Sequence, residues 1–131
     1  MTSGAPASET LAFGVEPSTR RYRLRLARYP ALAESLAAWA ASQPGGRPLR
    51  LLDAGVGRGR SLRYLGATAA AERFRCVGLD LDPEIGVRVH DRARWRLLRG
   101  DLDRPLPFRD AVFDAVVCEQ VLEHVHEPEA A

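Results

Sequence analysis

This sequence predicts an α/β fold built on a doubly wound parallel sheet, and two observations carry the prediction. From Leu49 onward, apolar runs of strand length alternate with segments of helical periodicity. That order suits parallel βαβ units, because each parallel pair needs a crossover. Between the first such run and the first helix lies LLDAGVGRGRS, Leu51 to Ser61, with glycines at 55, 57 and 59. In doubly wound sheets ligands bind beyond the carboxyl ends of the strands, where such turns lie.

A chain of 131 residues suits one domain. With 46% apolar and 27% charged residues it reads as globular rather than disordered. A net charge of +2 is too small to argue for nucleic acid, and all 19 basic residues are arginine. Cys76 and Cys118 stand apart in apolar segments without metal-ligand spacing, which predicts reduced, buried thiols. The start MTSGAPASETLAF lacks the basic and apolar regions of a signal peptide, and Glu34 interrupts the most alanine-rich stretch. No membrane span is expected, and the expected location is the cytoplasm.

Residues 1–17, small, polar and proline-containing, read as a flexible arm. Residues 18–46 read as two helices. In the first, Tyr22, Leu26 and Tyr29 share one face and Arg21, Arg25 and Arg28 the next, with Pro30 ending or kinking it. In the second, Leu32, Leu36 and Trp39 form a stripe that stops at Pro44 and Gly45. Residues 47–131 carry the α/β pattern. LRLLD, FRCVGLD, WRLLRGD and FDAVVC are its strands; RSLRYLGATAAAE, PEIGVRVHDRAR and EQVLEHVHE are its helices.

The glycine turn permits positive φ and lets a ligand approach the backbone at Gly55 and Gly57. Its spacing narrows the ligand. The dinucleotide pattern GxGxxG needs glycine where Arg60 stands, and the phosphate loop needs a lysine the chain lacks. What stands here is an acid, one residue, then GxGxG, from Asp53 to Gly59. Asp80 ends the second strand, where an acid can accept both ribose hydroxyls of a nucleoside. Asp82, followed by Pro83 and Glu84, reads as a helix N-cap.

These features, with GDLDRPLPFRDAVFDAVVCEQVLEHV, resemble the class I S-adenosylmethionine-dependent methyltransferases, in the small-molecule branch usually called type 11. The likeness runs from about Leu49 to Val125, with three motifs in order. It implies a Rossmann-like sheet, here of about four strands in the order 3-2-1-4, behind an N-terminal helical extension. It also implies S-adenosylmethionine as cofactor, whose ammonium and sulfonium suit an acid beside the turn. By the resemblance Asp53, Gly55, Gly57 and Asp80 hold the cofactor, and Asp101 takes the adenine amino group. Leu81 and Leu102 contact the ring, and Cys118 lies near the methionine part through its backbone. Methyl transfer to a small acceptor follows, with S-adenosylhomocysteine as product. Arg58 departs from the usual small residue and is read as solvated, with a substrate carboxylate as the alternative.

No catalytic residue is assigned. His124 is the one candidate base, and its place in the LEH stretch, a common feature of this branch, favours an ordinary helix residue. His126 and Glu127 do not make a metal-ligand set with it, so no metal is expected. The arginine stripe of the first helix is read as solvated. The resemblance implies seven strands where four are found, so FDAVVC is expected to be an exposed apolar edge. A fragment of a longer enzyme, a partner completing the sheet, or a non-catalytic cofactor-binding module would each account for that. An NAD-type protein is the remaining alternative.

Overall fold

A computed structural model of the protein describes residues 20–57, 59–82, 95–119 and 126; for residues 21–23, 25, 26 and 60 it describes the backbone alone. The expected arm, the helix over PEIGVRVHDRAR, Arg58, Glu123, His124 and the helix over VLEHV lie outside the described residues, as do the side chains of Arg21, Tyr22, Arg25 and Leu26.

Four parallel strands form one sheet in the order β3-β2-β1-β4, as expected. They are β1 (Leu49–Ala54), β2 (Phe74–Asp80), β3 (Trp95–Arg99) and β4 (Ala115–Val117). Central β1 is buried at every position except Arg50, and four of its six residues, LRLLDA, are apolar. It pairs with β2 from Leu49↔Phe74 to Ala54↔Leu79 and with β4 from Leu51↔Ala115 to Asp53↔Val117. At its start Asp114 fastens β4 in place. Its carboxylate accepts from the Arg50 N–H at 2.8 Å and from Arg47 at 2.6 and 2.8 Å, while its own N–H donates to the Arg50 carbonyl.

Where two helices were expected before the sheet, one 23-residue helix stands: α1 (Arg20–Ser42), with Pro30 inside it. A proline removes one hydrogen bond and crowds the preceding turn. Here both flanks are anchored, with Tyr29, Ala33 and Ala40 buried and Leu32, Leu36 and Trp39 packed on the core. Trp39 lies against Phe74 at 6.3 Å between ring centroids. The Arg73 guanidinium donates to the carbonyls of Ala40, in the last turn of α1, and of Pro44, just past it.

Helix α2 (Arg60–Gly66) is shorter than the predicted segment. The Thr68 hydroxyl donates to the Leu65 carbonyl at 2.7 Å, and the remaining residues form a turn and a short 3-10 stretch, Ala71–Arg73. Helices α1 and α2 cover one face of the sheet, Leu62 and Leu65 of α2 packing with Leu51, Phe74 and Cys76 of the strands. The opposite face holds Leu52, Ala54 and Leu79 under Leu102, Leu106, Phe108 and Phe113, the two phenyl rings meeting edge to face at 4.8 Å. Among the described residues no helix is long and apolar enough to cross a membrane.

Candidate functional site

The turn after β1 is built by its glycines. Gly55, Gly57 and Gly59 have φ of 79°, 53° and 72°, a region costly for any residue with a Cβ. The N–H groups of Gly55 and Val56 both donate to the Leu79 carbonyl, at 2.8 and 2.9 Å, and so fold the turn back over β2. Gly78 of β2 permits this approach, since a Cβ there would lie 2.8 Å from Val56 Cγ2. Above Gly57 there is open space: an added Cβ would meet nothing within 4 Å.

Asp80 is held by the same turn. Its Oδ2 accepts from the Gly57 N–H at 2.9 Å and its Oδ1 from the Leu81 N–H at 2.8 Å. Each carboxylate oxygen has a second lone pair, so the capacity to accept ligand hydroxyls remains. Leu81, beside it, is 61% exposed, an apolar side chain open to a ligand.

Asp53 is only 3% exposed. Burial first, then the charges of Glu119 and Asp80, push its pKa up to about 7. With Tyr29, Gly55, Val56, Gly57, Ser61 and Glu119 it lines a cavity of about 100 Å³. Glu119, two residues past β4, is a site residue that the motif reading did not single out. It lies far from Asp53 in sequence, and the one available signal was an acid directly following the fourth strand.

Helix α1 closes this cavity. Arg28 Nε lies 2.9 Å from Glu119 Oε1, off hydrogen-bond alignment, so the contact is Coulombic. The guanidinium also donates to the Tyr29 hydroxyl at 3.1 Å and sits 5.0 Å from that ring's centroid, while Tyr29 stacks on Tyr64 of α2 at 5.9 Å. Arg28 is therefore not part of a solvated stripe as expected. Glu119 supplies a countercharge that only the tertiary packing brings within reach.

Asp101 follows β3, with its Oδ1 accepting from the Asp103 N–H at 2.9 Å and its Oδ2 3.7 Å from Arg104. Leu102 and Cys118 line a different cavity, of about 780 Å³, on the opposite face of the sheet with Phe108, Phe113 and Val116; Cys76 is buried as expected, but Cys118, just past the end of short β4, is exposed. The side chains of Leu102 and Cys118 are not brought to the glycine turn; Glu119, the residue after Cys118, is. The ring Nδ1 of the exposed His126 lies 3.1 Å from Asp103, which raises its pKa. Among the described residues no group of three or more ligating side chains could hold a metal.

Each strand of the sheet thus delivers an acid to the carboxyl edge: Asp53 and Asp80 in the last residues of β1 and β2, Asp101 and Glu119 two residues past β3 and β4. A family model described as "Methyltransferase domain" matches residues 52–131, most of the chain. The chain belongs to the methyltransferase domain family.

This methyltransferase domain is similar to one in a complex between the Haloferax volcanii Trm112 methyltransferase activator and its methyltransferase. That match has 27% identity and a TM-score of 0.55, covering 78% of this chain and 51% of that one. The CurJ carbon methyltransferase is similar in fold, at 15% identity and a TM-score of 0.52, over 58% of this chain and 21% of that one. This domain spans about half the length of the Haloferax chain. No curated protein matches the sequence. Helix α1, with Arg28 and Tyr29, lies before the residues that the family model matches.

Proposed function

We propose that this chain is the cofactor-binding part of an S-adenosylmethionine-dependent methyltransferase acting on a small-molecule acceptor. The observation that carries the reading is the set of carboxylates at the carboxyl edge around the glycine turn. A ligand bearing an ammonium and a sulfonium is attracted there, whereas a dinucleotide pyrophosphate is repelled. In this reading residues 1–17 are an arm, 18–46 a helical extension and 47–131 the cofactor-binding part.

Asp80, already oriented by two backbone N–H groups, accepts the ribose hydroxyls. Gly55 and Gly57 let the ligand approach their backbone, and Asp101 takes the adenine amino group. Leu81 borders the ring, Leu102 meets it through its backbone, and Cys118 contributes its backbone near the methionine part. When bound, the cofactor supplies an electrophilic methyl group on a sulfonium. The protein's share is alignment and exclusion of water, so direct displacement needs no dedicated base. We place the protein in the cytoplasm on its thiol chemistry: no disulfide joins Cys76 to Cys118, and burial pushes the Cys76 thiol up to about 12. The β4 edge, where Val116 is 59% exposed, is where we place a protein partner or a further strand.

Calorimetric titration with S-adenosylhomocysteine and, in parallel, NAD tests the cofactor class. Binding of S-adenosylhomocysteine alone supports the reading; binding of NAD alone, or of neither to a folded sample, overturns it.

A further inference from the structure

Resting on that reading of the cofactor, we propose that Asp103 and His126 are positioning residues for Asp101, and that the contact between them sets how strongly the site selects a purine carrying an amino group.

The turn after β3 is hydrogen-bonded within itself. The Arg104 N–H donates to the Asp101 carbonyl at 3.1 Å and the Asp103 N–H to Asp101 Oδ1 at 2.9 Å, while the Gly100 N–H ties the start of the turn to the Asp80 carbonyl at 2.8 Å. Oδ1 of Asp101 is thereby committed to the turn. Its Oδ2 keeps the capacity to accept from a ligand amino group, with Arg104 Nε, on a side chain 81% exposed, 3.7 Å away.

What holds Asp103 comes from the segment past β4. The main-chain N–H of His126 donates to Asp103 Oδ1 at 2.6 Å, and the His126 ring Nδ1 lies 3.1 Å from Oδ2. An ionised carboxylate only accepts, so Nδ1 carries the proton in this contact. One residue thus engages both oxygens, which fixes direction as well as distance. The imidazole is 89% exposed, and an exposed ion pair adds little to stability, so the effect of this contact lies in orientation. While Asp103 is held, its N–H stays on Asp101 Oδ1. Once that hold is lost, the Asp101 carboxylate can turn toward Arg104 and away from the ligand.

The probes are S-adenosylhomocysteine and its desamino analogue, in which hydrogen replaces the adenine amino group. On the unmodified chain, calorimetry should show the former binding roughly tenfold more tightly, the value of one hydrogen bond to a charged acceptor. Asp103→Ala and His126→Ala should each reduce that preference to about threefold or less by weakening S-adenosylhomocysteine alone. Unchanged binding of the desamino analogue reports that the variants are folded. His126→Asn, whose amide N–H can stand where Nδ1–H stood, should restore the preference. Equal weakening of both ligands in the alanine variants, an unchanged preference, or no recovery with asparagine overturns the positioning role while leaving the cofactor reading intact. Equal affinity of the unmodified chain for the two ligands removes the role of Asp101, and this proposal with it. If the unmodified chain binds neither ligand, the cofactor reading itself fails.

Discussion

Asp53 opposes the stability of the fold to the needs of the site. Its carboxyl is raised to about 7, chiefly by burial, so at intermediate pH the folded chain keeps a proton that the unfolded chain has released. The sign follows: this contribution to stability is complete below the unfolded carboxyl range, about pH 4, and is lost as the pH rises through about 7. Asp53→Asn cannot ionise. It should match the unmodified protein near pH 4 and exceed it near pH 8, by up to about 4 kcal/mol in urea unfolding. The same gain at both pH values would contradict the raised pKa. Affinity for S-adenosylhomocysteine should fall in this variant, the trade expected where a site keeps an unfavourable buried charge. Gly78→Ala is the steric counterpart. Its Cβ would lie 2.8 Å from Val56 Cγ2 and 2.9 Å from Leu97 Cδ2, so thermal unfolding should show a loss of about 1–3 kcal/mol as Val56 is pushed from the turn.

Among the elements, α1 carries a proline that local energetics disfavour and packing retains. Pro30→Ala restores an N–H donor and should stabilise the chain by about 1–3 kcal/mol in urea unfolding. A loss of stability instead would mean that the proline's backbone geometry is what seats Tyr29 and Arg28. Strand β4 depends on Asp114, whose pKa is lowered by the Arg47 hydrogen bond and then by the Arg50 N–H. A lowered carboxylate stabilises above its unfolded pKa, and the contribution is lost as the pH falls through the folded value. Asp114→Asn should therefore lower the unfolding midpoint at neutral pH, with the difference shrinking in strong acid. An undiminished difference in acid would assign the effect to packing instead. Sequence periodicity located every strand of the sheet, but it divided α1 at Pro30 and extended α2 to Glu72. Proline content and alanine content are local signals, whereas the ends of these helices were decided by Trp39 against Phe74 and by the Thr68 hydroxyl.

At the scale of the whole molecule the two faces of the sheet differ. One is covered by α1 and α2; the other carries the Phe108–Phe113 cluster and a cavity of about 780 Å³. The small charged cavity lies on the first face, where the helices meet the carboxyl edge. A ligand bound there joins α1, the turn and the segment after β4, so its binding energy adds to the stability of the assembly. S-adenosylhomocysteine at one hundred times its Kd should stabilise the chain by about 2.7 kcal/mol and raise Tm by several degrees, with NAD leaving Tm unchanged. A shift with NAD and none with S-adenosylhomocysteine would reverse the assignment of the cofactor.

By itself the sequence determined the sheet, its order through family resemblance, and the turn with its three positive-φ glycines, together with Asp53, Asp80 and Asp101 at the strand ends. These are legible because strand runs, glycine spacing and strand-terminal acids are local along the chain. Only the tertiary structure decided that Arg28 pairs with Glu119, that Tyr29 walls the cavity, and that the side chains of Leu102 and Cys118 belong to the other face. Those relations join residues distant in sequence across the packed edge of the sheet. The parity of β4 sends Val116 and Cys118 to one cavity while Glu119 reaches the other, and the pairing register that sets this parity is a property of the folded sheet.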